Sequence, residues 1–300
     1  MGLILFFNSY AAEDQGGKGD FILTPKFFCV ENHYHNKIVI SLFYDKTQRG
    51  QCPRRIPLEG RIYVKIVAVI PTRWASSRYP GKPLADIDGK PMIQAVYEQT
   101  LLCRSISSVL IATDDERILK VAQSFGARAV MTSADCASGT DRVAQAVREI
   151  EADAVINIQG DQVLFDTSAL TGMVNELKQG CPMVTLAIRA SAEDVADPNT
   201  VKVVLDRNGY ALYFSSAAIP FLRVPGHAVM LKHVGIYGFS RETLDHFNRL
   251  PQSPLELSES LEQLRALENG IPIKVVISSG AFHEVNTPQD RVRIIELCRT

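Results

Sequence analysis

Residues 64–300 are predicted to form an α/β domain, a mostly parallel central sheet flanked by helices. Three observations carry that prediction. Lys65–Pro71 (KIVAVIP), Ser108–Thr113 (SVLIAT) and Ala154–Gln159 (AVINIQ) are short apolar runs rich in β-branched residues, the pattern of strands covered on both faces. Stretches with apolar residues at helical spacing separate them. Gly and Pro punctuation falls between the two kinds of segment.

Composition narrows the function. Three hundred residues make one large or two small domains with a substantial core. A net charge of −1 argues against bulk electrostatic binding to nucleic acid, so any basic site must be local. Six scattered cysteines (Cys29, Cys52, Cys103, Cys136, Cys181 and Cys298) without a C-x-x-C read as reduced thiols of a cytosolic protein. No run approaches the roughly 18 apolar residues of a membrane-spanning helix. The expectation is therefore a cytoplasmic protein with no nucleic-acid or membrane partner.

Residues 1–63 differ from the rest. Leu3–Phe7 lacks the preceding basic residues of a secretion signal, and Phe6 stands where myristoylation needs Ser or Thr. Cys29, His33 and His35 lack a fourth ligand at a sensible spacing. The stretch is expected to be a peripheral extension. No Met falls between Met1 and Met92, so a non-AUG start near Val64 is a further expectation.

The first strand empties into a loop carrying Arg73, Arg78, Gly81 and Lys82, stiffened by Pro80 and Pro83. Three cations at the carboxyl end of a buried strand suit a polyanion. The spacing excludes a Walker A loop, since Pro83 follows Lys82, and no G-x-G-x-x-G follows the strand. Asp86–Lys90 (DIDGK) turns, and Pro91 opens a helix with Ile93, Val96, Tyr97, Thr100 and Leu101 on one face. After Ser108–Thr113, Asp114 or Asp115 caps a helix that closes at Gly126, a role preferred to direct catalysis. Arg128–Met131 is a third strand.

Ser138 and Thr140 precede a helix with Val143, Ala146, Val147 and Ile150 on one side. They are N-cap residues. A helix start also offers N–H groups and hydroxyls to a base edge or a phosphate. The residues alone leave both roles open. Ala154–Gln159 runs into Gly160-Asp161-Gln162, where a carboxylate leaving a strand at the ligand edge suits Mg²⁺ better than a bare turn. Met183–Arg189, Leu231–Phe239 and Ile273–Ser278 read as strands. Val201–Asp206 and Tyr210–Ser215 read as a hairpin turned by Asn208-Gly209. Ser258–Glu268 reads as one helix with Leu261, Leu264 and Leu267 inward, and Pro288 starts the last helix.

Taken together, IPTRWASSRYPGKPLADIDGKPMI, ATDDERI, SGTDRV, VINIQGDQ, DPNTVKVVLDRNGYALYFSSAAIPF, LKHVGIYGF and QSPLELSESLEQLRALENG resemble the CMP-Kdo synthetases, the 3-deoxy-manno-octulosonate (Kdo) cytidylyltransferases. The resemblance covers residues 65 to about 296. It implies a nucleotide-diphospho-sugar transferase-like fold and a homodimer paired through a hairpin excursion. It also implies transfer of CMP from CTP to Kdo with Mg²⁺, releasing pyrophosphate, for lipopolysaccharide synthesis. By the same resemblance, Arg73, Arg78 and Lys82 match the triphosphate loop, and Ser138 and Thr140 the cytidine pocket. Asp161 matches a Mg²⁺ ligand, and Gln159, His233, Tyr237 and Glu256 match the sugar side.

Three departures qualify it. Gln162 stands where the family strand continues with Glu, and Asn286 where the family has a second metal-binding aspartate. The connection from Phe221 to Leu231 is shorter than the family's. Asn286 offers a neutral carbonyl only, so metal binding is expected to be weakened and Asn286→Asp to lower the Mg²⁺ requirement. Asp290 is a substitute ligand if it points inward. Two other functions fit these departures: transfer to another acidic sugar of nonulosonate type, or a degenerate paralogue that binds nucleotide without turnover.

Overall fold

Seven consecutive buried residues build the strand on which everything else is laid. The computed structural model describes residues 64–75, 79–224, 226, 227 and 229–299. The extension of residues 1–63 and Arg78, with the expectations placed on them, lie outside the described residues. In β1 (Ile66–Thr72), Ile66, Ala68 and Ile70 point into one core and Val67 and Val69 into another, the period-two alternation of a strand covered on both faces.

The chain continues through a 3₁₀ turn (Lys82–Leu84), the ribbon β2 (Asp86–Ile87) and β3 (Lys90–Pro91), and α1 (Met92–Leu101). Then follow β4 (Ser108–Thr113), α2 (Glu116–Ser124), β5 (Ala129–Met131), α3 (Gly139–Ala146) and β6 (Ala154–Ile158). The second half contains β7 (Gln162–Phe165), α4 (Thr167–Lys178), β8 (Met183–Arg189), α5 (Ala192–Ala196), β9 (Lys202–Leu205) and β10 (Ala211–Ser215). It ends with β11 (Leu231–Ser240), α6 (Arg241–Phe247), α7 (Pro254–Glu259), α8 (Gln263–Glu268), β12 (Ile273–Ile277), β13 (Phe282–Glu284) and α9 (Pro288–Cys298).

The sheet is mostly parallel, as expected. β5, β4, β1 and β6 pair in parallel, and β12 pairs in parallel with β8. β11 lies antiparallel between β6 and β8. It alone of these seven strands runs against the rest. α1, α2, α4 and α9 cover one face, with Ile93, Ile118, Leu170 and Ile294 in its core. α3, α6 and α8 cover the other, with Val143, Leu244 and Leu264. Among the described residues no helix is long and apolar enough to cross a membrane.

Two local expectations change, and the predicted hairpin forms as expected. Ser258–Glu268 is two helices, broken where Ser260 takes a left-handed backbone (φ 55°) as the C-cap of α7. The break lets Arg265 of α8 fold back on Glu256 of α7, with Nε donating to Oε2 at 2.8 Å in a buried pair. The β9–β10 hairpin turns through Arg207-Asn208-Gly209, with the Asp206 carboxylate accepting from the Asn208 and Tyr210 amides. Gly209 supplies the positive φ of 79° that a β-branched residue would resist. Leu101, placed on the buried face of α1, is 51% exposed because the helix ends there.

Candidate active site

Parallel strands bring their carboxyl ends to one edge, so Arg73 after β1, Asp114 after β4 and Gln159–Asp161 after β6 share it. Because β11 runs the other way, its early residues reach the same edge, Tyr237 standing opposite Asn157.

Lys82 and Asp161 meet there. Lys82 Nζ donates to Asp161 Oδ2 at 2.6 Å and to the Val285 carbonyl at 3.0 Å. Both side chains keep a path to water, at 15% and 23% exposure. Their backbones explain the meeting. Gly81 holds φ 69° ahead of the 3₁₀ turn, and a Cβ there would press on the Trp74 ring at 3.0 Å. Trp74 lies under the Arg117 guanidinium, 3.4 Å from ring centre to carbon, and Asp115 grips Arg117 while capping α2. Asp161 follows Gly160, where a Cβ would stand 2.5 Å from Thr72 Cγ2 and 3.1 Å from the Pro71 carbonyl. Gly160→Ala is therefore expected to push β6 off β1, lowering stability by about 1–3 kcal/mol and activity with it. Thermal unfolding beside a rate assay checks this.

Arg73 is exposed at the end of β1. Asp114 is engaged by the buried Arg142, at 2.8 Å, and does not face outward as a catalytic acid.

A second group is centred on a residue the sequence reading missed. Glu262, at the start of α8, accepts from Ser138 Oγ at 3.0 Å and Thr140 Oγ1 at 2.9 Å. Burial pushes its carboxyl up, against the two hydroxyls that pull it down. Ser138 also accepts from the Asp141 amide in a capping box, and Thr140 from Asn157 Nδ2. Of the two predicted N-cap residues only Ser138 is the cap, Thr140 lying in the first turn of α3, and each hydroxyl donates one bond and accepts one inside the protein. Gln159 Nε2 donates to Asn157 Oδ1 at 3.2 Å and lies against Gly139, where a Cβ would sit 3.1 Å from its amide. Ser138, Thr140 and Gln159 are brought together, with Asn157 and Glu262 as the links.

Tyr237 joins this group through α8, and His233 lies against the Tyr237 ring, 5.4 Å between ring centres. Tyr237 Oη donates to Gln263 Oε1 at 3.0 Å, and burial raises its hydroxyl well above the ordinary range. Gln263 is 3% exposed, and its Nε2 has no hydrogen-bond partner among the described residues. His233 Nε2 lies 3.0 Å from Thr185 Oγ1, and burial pushes its imidazole down to about 3, so it stays neutral. Glu256 is different. Both its oxygens are engaged by Arg265, and Oε2 also accepts from the Ser253 amide. Burial is the largest single effect and raises its carboxyl, but the hydrogen bonds and charge of Arg265 together with the Ser253 amide bring the net direction down. It serves the α7–α8 joint. Glu262 and Gln263, not Glu256, make the hydrogen bonds to Ser138, Thr140 and Tyr237.

Beside Lys82 and Asp161 runs a ribbon the sequence did not suggest, β7 against β13. It seats Gln162 and Glu284 side by side, with Asn286 just beyond. Asp290 closes the capping box of α9, accepting from the Thr287 amide at 2.8 Å and the Asn286 amide at 3.0 Å, so it is no substitute ligand. The donor set near Asp161 is hard oxygen, including the buried Gln162 Oε1, which has no partner among the described residues. That chemistry fits a divalent cation such as Mg²⁺.

A mostly parallel α/β sheet with a cation–carboxylate pair and a hydrogen-bonded polar cluster towards its carboxyl edge fits an enzyme of nucleotidyltransferase type. The cytidylyltransferase family model matches residues 67–276. The chain belongs to that family. A 3-deoxy-manno-octulosonate cytidylyltransferase of Trichlorobacter lovleyi is 46% identical over 241 residues, covering 76% of this chain and 96% of that protein. An 8-amino-3,8-dideoxy-manno-octulosonate cytidylyltransferase of Shewanella halifaxensis is 47% identical, covering 78% and 98%. A solved CMP:2-keto-3-deoxy-manno-octonic acid synthetase complexed with CTP matches at TM-score 0.74 and 43% identity, covering 78% of this chain and 98% of that one.

Proposed function

We propose that this chain transfers CMP from CTP to the anomeric 2-hydroxyl of Kdo or its 8-amino analogue, releasing pyrophosphate for lipopolysaccharide synthesis. The observation that carries the reading is the contact between Lys82 and Asp161, which sets a cation and a carboxylate at one sheet edge. The two relatives named above match at nearly equal identity, so the 8-amino sugar is the second reading.

In the reaction a P–O bond forms from the sugar hydroxyl to the α-phosphorus as the bond to pyrophosphate breaks. Negative charge collects on the leaving oxygens. Lys82 and Arg73, with Arg78, hold those oxygens, and cations fixed before the reaction stabilise the transition state more than the ground state. Bound at Asp161, Mg²⁺ would neutralise phosphate charge and make the sugar hydroxyl more acidic. Ser138 and Thr140 belong to the cytidine pocket, where the start of α3 offers N–H groups to the nucleotide. Gln159, His233 and Tyr237 shape the sugar side. The Gln263 amide nitrogen is a buried donor suited to a sugar oxygen, since leaving it unmet costs about 1–3 kcal/mol.

The exposed Leu212 of β10 and Phe221 just beyond it, at 62% and 84%, support a homodimer formed through that excursion. The free thiols of Cys103, Cys136 and Cys181 support a cytoplasmic location. The test is pyrophosphate release from CTP, with and without each sugar acid. Release only when Kdo or its 8-amino analogue is added is expected. No release with either, or release with a nonulosonate alone, would remove the proposal.

A further inference from the structure

Gln162 and Asn286 are the two places where this chain carries an amide instead of the family's acid, and both amides turn to one partner. Gln162 Nε2 donates to Glu284 Oε2 at 3.0 Å, and Asn286 Nδ2 donates to Glu284 Oε1 at 2.8 Å. Glu284 is exposed at the end of β13. The next residue, Val285, donates its amide to the Asp161 carbonyl at 3.0 Å and gives its own carbonyl to Lys82. Glu284 therefore leaves the backbone one residue from the Lys82–Asp161 contact. A separate observation points to a ligand. Gln162 is 4% exposed, and its carbonyl oxygen, on the same amide that meets Glu284, has no partner among the described residues. Buried acceptors are rarely left so, and a cation or its bound water would meet it.

We propose that Glu284 is the second acidic group of the divalent-cation site at Asp161, held by the Gln162 and Asn286 amides, which are positioning residues. This rests on the cytidylyltransferase reading above. A carboxylate oxygen has two acceptor directions, so one N–H on each oxygen fixes the group and leaves an outward lone pair for a cation. The changes at 162 and 286 then make physical sense together. Acids at those positions would stand about 3 Å from Glu284 and repel it, whereas amides donate to it. The expectation for Asn286→Asp reverses as well. On sequence alone it restores a ligand, but beside Glu284 it crowds two carboxylates.

Mn²⁺ alone, titrated into the full chain and followed by the EPR signal of the free ion, tests this apart from turnover. Wild type is expected to bind and Asp161→Asn to lose binding. Glu284→Gln and Gln162→Met should each weaken binding by roughly 10-fold or more, the usual effect of disturbing a metal ligand or its support. Asn286→Asp should not tighten it. Wild-type affinity in Glu284→Gln and Gln162→Met, with binding lost in Asp161→Asn, overturns the role of Glu284 and leaves the family reading standing. Tighter binding in Asn286→Asp also overturns it, by returning the second ligand to position 286. No binding by wild type removes the metal site itself, and this inference with it.

Discussion

Asp161→Asn is expected to slow CMP transfer by about 1,000-fold, a barrier increase of roughly 4 kcal/mol. The change is nearly isosteric, and the backbone bond from the Val285 amide to the Asp161 carbonyl survives it, so the fold should persist. The negative charge that attracts both Lys82 and a cation is what disappears. Raising the Mg²⁺ concentration should recover only part of the rate, because a neutral amide oxygen binds a hard cation poorly. Steady-state rates across a Mg²⁺ series, beside a thermal melt of the same variant, separate this from unfolding. A variant within 10-fold of wild type at ordinary Mg²⁺ would contradict the assignment.

Lys82→Met is expected to cost about 100-fold in rate, the scale of deleting one preorganised electrostatic donor. Methionine fills much of the same volume, so packing against Gly81 and Val285 should survive. The loss should fall mainly on kcat, since the ammonium acts on charge that develops as pyrophosphate leaves. A change confined to KM would instead mark Lys82 as a ground-state anchor. Because Lys82 and Asp161 touch, their effects should not multiply. The double variant is expected to be faster than the product of the two losses predicts.

What was legible in the sequence followed from periodicity and turn chemistry. β1, β4 and β6 were visible because buried parallel strands need unbroken apolar runs, and the DIDGK turn because Asp88 and Gly89 accept positive φ at 52° and 85°. The basic loop and Asp161 were legible by position, at the carboxyl ends of two such strands, and the structure joins them through Lys82. The break at Ser260 was hidden, because nothing in SPLELSESLEQLRALE forbids a continuous helix. It follows from the pairing of Glu256 with Arg265, a tertiary contact between buried side chains. Glu262 was hidden for the same reason. Its partners Ser138 and Thr140 lie more than 120 residues earlier, and one more acid in a charged helix gives no local signal. Glu284 depends on the register of β7 against β13, two strands too short to show alternation.

One measurement reaches the centre of the account: a crystal of the full chain grown with CTP and Mn²⁺ and without sugar acid, with anomalous data locating the metal. The account expects the metal signal against the Asp161 carboxylate, the triphosphate within reach of Lys82, and the Lys82 ammonium shifted from Asp161 towards a phosphate oxygen. A nucleotide bound elsewhere, with Lys82 and Asp161 still in mutual contact and no metal beside them, would contradict it.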